Sequence, residues 1–292
     1  MNPVNKAYLQ LHTAVLLFGF TAILGRLIQI SELPMVWWRL LITCASLLLL
    51  PGVVKALRAM SRQLIWRLAG IGIVVAAHWV MFFGAVKYSN VSVTLGVMAT
   101  TSFFTAFVEP LVKKTRIRWY EVALGIFVVP GMYMIFRFTN DGYIVGILMA
   151  LVSAILAAFF SSLNALIVNE SSPMAITFVE LGSGWVFLSL IAPFYGEIFG
   201  NSTFIPSSPD LFWLVILALV CTTFAYVLAL NCLKHISAFT SNLTLNLEPI
   251  YGIIMAWLIF QENEELNSGF YIGAAIILLT IFIHPLLKRN FE

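Results

Sequence analysis

"LTLNLEPIYGIIMAWLIFQENEE" occupies Leu243–Glu265. It is apolar for most of its length, yet a glutamate and a proline stand side by side in the middle, at Glu248 and Pro249. A carboxylate at the centre of a membrane helix costs roughly 2.5–3.5 kcal/mol on insertion scales. A proline there strips the partner from a carbonyl one turn back, in this case that of Leu245. Both features require protein or water beside the helix.

Plotted at about 100° per residue, Leu243, Leu247, Ile250, Ile254 and Leu258 form an aliphatic stripe suited to lipid. Ser241, Thr244, Glu248, Tyr251 and Gly252 fall on another side, with Asn242, Asn246 and Pro249 on the flank between. This pattern predicts that Asn242, Asn246, Glu248 and Pro249 border a polar cavity. The competing reading is that Asn246 and Glu248 only join helices, for about 0.6 kcal/mol per hydrogen bond.

The rest of the chain explains where such a helix sits. Hydrophobic residues make up 61% and charged residues 10% of the 292 residues, and the mean hydropathy is +0.98. Soluble domains carry about 25% charged residues, so the chain belongs in a bilayer. A span needs roughly 20 apolar residues. Ten fit, at 7–29, 34–54, 64–86, 91–112, 119–136, 143–167, 173–195, 210–232, 236–260 and 268–287. Short breaks such as "ISELP", "KALRAMSR", "KKTRIR" and "ENEELNSG" separate them. The first apolar run is too long for a signal-peptide core and has no A-x-A cleavage site, so it stays as a span. With both termini inside, twelve of the sixteen Lys and Arg are cytoplasmic, only Lys87 and Arg137 are outside, and Arg26 and Arg39 lie within spans. The positive-inside rule therefore places both termini in the cytoplasm of a multi-pass inner-membrane protein. The net charge of +3 follows from this loop bias and points to no nucleic acid. Cys44, Cys221 and Cys232 sit in apolar runs without framework spacing, so no disulfide is expected.

The chain divides into two halves, 1–139 and 140–292. A slide of 148 residues puts Ser89 on Ser237, Leu95 on Leu243 and Gly125 on Gly273, and "PMVWWRLL" from Pro34 parallels "PMAITFVE" from Pro173. Five spans per half force the second half to insert upside down. The expected fold is all-α and integral to the membrane: ten transmembrane helices as two inverted five-helix repeats, with a substrate site near the midplane. Glu109-Pro110 imitates Glu248-Pro249, but at another depth. Glu109 is expected at the membrane interface, pairing with Lys113 at i,i+4.

Other polar side chains interrupt the spans. His78 and Phe82 share a face of span three, with Trp79 beside them. An intramembrane histidine is a functional candidate; bonding to a neighbouring carbonyl is the alternative. Thr101 and Tyr226 are further cavity candidates. Arg39 can grip a substrate carboxylate or phosphate through its fork, snorkel outward, or pair with an acid. Arg26 reads as an anchor. Glu180 is a third intramembrane acid with no partner visible. Ala150, Ser153, Ala154, Ala157, Ser161, Asn164 and Ala165 give span six a small-residue face for close packing, and Asn164 is a candidate substrate contact. Gly269 and Gly273 form a packing GxxxG. No His or Cys stands at metal-ligand spacing, so neither metal nor cofactor is expected. Asn201-Ser202-Thr203 matches a short glycosylation sequon.

"LNLEPIYGIIMAWLIFQE" followed by "GFYIGAAIILLTIFI" resembles the closing signature of the EamA family, in the drug/metabolite transporter superfamily. "HWVMFFGAVKYSNVSVTLGVMATTSFFTAF" resembles the matching first-half element, and "AVLLFGFTAILGR" its opening. The resemblance implies an exporter or exchanger of amino acids and related metabolites, with a central cavity. By position, Pro249 matches the family proline of span nine, Glu262 the acid closing that helix, and His78-Trp79 an aromatic cavity element. Thr100-Thr101 stands where span four would have its proline, which argues against a symmetrical proline hinge.

The expected function is a secondary transporter working by alternating access on a small polar solute, with Glu248 or His78 as carriers of a coupling proton. The nearest rival is a carrier of nucleotide-sugars or other phosphorylated metabolites, which calls for more cavity cations. A polytopic enzyme would need a motif such as H-E-x-x-H or G-x-S-x-G, and a channel a filter or charge ring; none is present. Oligomeric state and substrate identity are not legible.

Overall fold

The computed structural model describes residues 2–136, 141–199, 203–245, 247–261 and 268–291. Among these, all regular structure is helical. The first half contains α1 (Pro3–Leu27), α2 (Glu32–Leu48), α3 (Val53–Ala59), α4 (Arg62–Tyr88), α5 (Val91–Met98), α6 (Thr101–Lys113) and α7 (Trp119–Phe136). The second contains α8 (Ile144–Ile167), α9 (Pro173–Phe199), α10 (Ser208–Ala218), a π-helical turn (Leu219–Phe224), α11 (Ala225–Cys232), α12 (Ala238–Leu245), α13 (Glu248–Phe260) and α14 (Ser268–Phe291).

Every predicted span falls on a helix or a broken helix. Seven are long and apolar enough to cross a membrane, and α2 joins them only when taken with α3, across a 95° bend. In α7 and α14 the apolar stretches are shorter, Trp119–Val128 and Tyr271–Thr280. The loop "KALRAMSR" is partly helical, as α3, a correction to its reading as a plain break. Leu9, Leu148, Leu190 and Phe282 are exposed on the outside, as lipid-facing residues are. The chain is a multi-pass membrane protein.

Exchanging each span for the one five places later preserves the packing pattern. The third span, α4, packs on α8 and α9; its counterpart, α10–α11, packs on α1 and α2. α6 packs on α8, and α13 on α1. α2 with α9, and α7 with α14, are pairs that exchange into themselves. α4 and α9 approach closely: a Cβ on Gly72 would lie 1.9 Å from the Glu180 carbonyl oxygen and one on Gly184 would lie 2.8 Å from that of Gly72. Only glycine admits such backbone contact.

Spans four and nine are both broken, each into an 8-residue and a 13-residue helix. They cross antiparallel, α5 against α13 and α6 against α12. Both end on a residue with positive φ, Lys114 at 54° and Gln261 at 57°. Both begin on a side-chain cap: Asn90 accepts from Val93 N at 2.8 Å, and Ser237 from Thr240 N at 3.1 Å. Pro249 stands in the first turn of α13, where its missing N–H does least harm. Span four breaks without a proline. The hydroxyls of Thr100, Thr101 and Ser102 donate to the carbonyls of Val97, Met98 and Ala99 at 2.8, 2.7 and 3.1 Å. Such back-bonding competes with the helix ladder and bends it. The break is thus shared by both halves, although the proline is not.

The break also divides the aliphatic stripe of span nine. Leu243 is buried with Ala106, Val122 and Phe239, and Leu247 packs toward Leu11 and Val15. Only Ile254 and Leu258, at 47% and 71% exposure, face outward. The stripe assumed one continuous helix, whereas α12 ends at Leu245 and α13 starts at Glu248, and the two parts face different neighbours.

Candidate functional site

A cavity of about 130 Å³ lies between the halves. It is lined at the two helix breaks by Met98, Ala99 and Thr101 on one side and Leu245 and Glu248 on the other. Thr101 and Glu248 are the first residues of α6 and α13, so two half-helices start at the cavity, and a helix N-terminus carries a partial positive charge.

Most side chains singled out from sequence meet here. Arg39, His78, Trp79, Phe82, Thr101, Asn164, Tyr226, Asn242 and Glu248 all line the cavity. Asn246 and Glu262 lie outside the described residues, as do Arg137 and the Asn201-Ser202 part of the sequon. Pro249 is placed only as backbone, just beyond Glu248 at the break. Phe18, Leu95, Met98 and Phe160 complete an apolar wall; no polarity signal marks them in the sequence.

Each polar group is held by packing from a different element. Asn242 Nδ2 donates to Thr105 Oγ1 at 2.8 Å and Ser161 Oγ at 2.7 Å, joining α12 to α6 and α8. His78 Nδ1 lies 2.8 Å from Ser153 Oγ and 2.9 Å from the Ser153 carbonyl oxygen. His78 is therefore both a helix-to-helix bond and part of the cavity lining. Thr101 spends its hydroxyl on the Met98 carbonyl, leaving mainly its methyl for a solute.

Arg39 does not snorkel. It is 1% exposed. Its Nε donates to Thr222 Oγ1 at 2.6 Å, and its guanidinium lies 3.7 Å over the Trp79 ring. Thr43 Oγ1 donates to the Ala218 carbonyl, and Ser46 Oγ meets Thr223 Oγ1, so one face of α2 grips the π-helical turn. Two residues of that turn have carbonyl partners of their own, with Thr222 and Thr223 bonding five residues back. A π turn opens such groups to outside bonds, and no hydropathy pattern reveals it.

Glu180 gains the partners that the sequence did not show. It is fully buried behind the wall, accepting from Tyr226 Oη at 2.9 Å and Asn164 Nδ2 at 3.4 Å. Its Oε1 and Asn164 Oδ1 have no partner among the described residues. Arg26 sits 4.4 Å from the Phe260 ring centroid. Glu109 is more than an interfacial residue: besides Lys113 at 2.5 Å, its oxygens accept from Ala238 N at 3.2 Å and Phe239 N at 2.6 Å. It caps α12 from 129 residues away, a contact no local pattern encodes.

A family model for EamA-like transporters matches residues 5–137 and again residues 144–284. The chain belongs to the EamA-like transporter family. The double match agrees with the two-repeat architecture, and the family carries small solutes across membranes. A solved crystal structure resembles the fold with a TM-score of 0.72 and 16% identity, covering 99% of each chain; at that identity only the fold is shared. No curated protein matches. Among the described residues no cluster of metal-binding side chains occurs.

Proposed function

We propose that this EamA-like transporter exports or exchanges an amino acid or related small polar metabolite by alternating access. The reading includes ten transmembrane spans as two inverted five-helix repeats, 1–139 and 140–292, with both termini in the cytoplasm of an inner membrane. The observation that carries it is the cavity at the crossing of the two broken spans, lined by both halves and by a cation, a carboxylate, amides and aromatics. Its volume of about 130 Å³ compares with the roughly 150 Å³ cavity that holds benzene. A nucleotide-sugar is far larger, and Arg39 is the one cation among the described lining residues.

Two sets of bonds join the halves and supply the parts of an alternating device. At the end remote from the N-terminus, Gln29 N donates to Asp210 Oδ1 at 2.7 Å, Trp38 Nε1 to the Phe204 carbonyl at 2.9 Å, and Trp37 Nε1 to Ser189 Oγ at 2.8 Å. At the near end, Asn231 Nδ2 donates to Gln10 Oε1 at 3.0 Å and Glu109 caps α12. Opening one end breaks one set while the other holds, the behaviour expected of rocking repeats. Purified protein in proteoliposomes should carry an amino acid, and Asn242→Ala and His78→Ala should each reduce flux while expression survives. Unchanged flux in both variants would remove this cavity as the pathway.

A further inference from the structure

Arg39 has five N–H donors and a permanent charge. Thr222 takes Nε, and the faces of Trp79 and Phe83, with centroids 3.7 and 5.4 Å away, hold the plane. Aromatic faces offset part of a cation's charge but accept no directed bond from its fork. Nη1 remains buried without a hydrogen-bond partner among the described residues. A buried charge left unpaired is strongly destabilising, and among the described residues no carboxylate lies within ion-pair distance of this one. Glu248 lines the same cavity, yet among the described residues the two form no ion pair.

The geometry points to a solute that completes both groups. We propose that Arg39 is a carboxylate subsite and Glu248 an ammonium subsite, so that the solute is a zwitterionic α-amino acid with a small apolar body against Trp79, Phe82 and Phe160. The proposal rests on the transporter reading above and narrows its substrate class. The guanidinium fork matches a carboxylate with two parallel bonds, and the stacked, pinned plane spares the entropy of ordering it. A phosphate would bring a second negative charge toward Glu248, whereas an ammonium group brings the opposite sign. The apolar wall and the cavity size favour a body no larger than roughly a benzene ring.

The test uses the full-length protein in detergent, titrated with the twenty common L-amino acids. For the tightest, the titration is repeated with the amine lacking its carboxylate and the acid lacking its amino group. Each half-molecule should bind at least about tenfold more weakly than the amino acid, as expected when buried polar groups lose their partners. Arg39→Gln should weaken the amino acid and the des-amino acid but spare the amine; Glu248→Gln should weaken the amino acid and the amine but spare the des-amino acid. The wild-type series needs no variant, so a misfolded Arg39→Gln leaves the test standing. An amine that binds as tightly as its amino acid, or twenty amino acids that all fail to bind, would overturn the proposal. If the proteoliposomes then still carried some other solute, the transporter reading would survive without it; if they carried nothing, both would fall.

Discussion

Val91–Lys113 and Ala238–Phe260 have the same backbone plan: eight helical residues, a break, thirteen more, and a left-handed cap. Two of their many side-chain differences concern charge. The second half-helix starts with Thr101 in one copy and Glu248 in the other, both at the cavity. One turn before the end, α6 carries the capping Glu109, and the equivalent position of α13, 147 residues later, is the buried Ala256. The backbone breaks belong to the shared fold. The charges belong to one copy each, and they make a symmetric scaffold chemically one-sided.

The largest effect should come from the two residues that open the second half-helices. Glu248→Gln should lower flux by about tenfold or more, because the charge is lost from the cavity. Thr101→Ala should change flux by less than about twofold, since its hydroxyl serves the Met98 carbonyl. Equal effects in a proteoliposome assay would break the comparison. Next comes the cap. Glu109→Ala leaves two backbone N–H groups and Lys113 without their acceptor and should cost about 2 kcal/mol, read as a lower midpoint of thermal unfolding. Trp257→Ala, at the exposed residue next to the matching Ala256, should stay within about 0.5 kcal/mol. The smallest effect concerns what the copies share. Lys114→Gly and Gln261→Gly each relieve a positive φ and should stabilise by about 1 kcal/mol or less, equally at both sites. A gain at only one of them would mean that the two caps are not equivalent.

Hydropathy and loop charge made the helical framework legible, because a lipid environment leaves the chain few alternatives. Polar residues inside apolar runs were legible for the same reason, and the structure gathers His78, Asn164, Asn242 and Glu248 around one cavity. What escaped were features made by distant pairs or by backbone detail. Thr100-Thr101-Ser102 breaks span four through hydroxyl bonds, while hydropathy runs on unchanged across it. Glu180 finds Tyr226 46 residues away, and Glu109 finds Phe239 130 residues away. Arg39 is kept from snorkelling by a π turn that only a folded span eight presents.

Cysteine accessibility tests the central claim most directly. Ser161→Cys, at the cavity wall beside Asn242, would be placed in a chain whose Cys44, Cys221 and Cys232 are replaced by alanine. A membrane-impermeant maleimide should label it from either face of sealed vesicles, in turn as the halves rock, and bound solute should slow the reaction. No labelling from either face, or labelling from one face alone whatever solute is present, would contradict an alternately opened cavity between the two repeats.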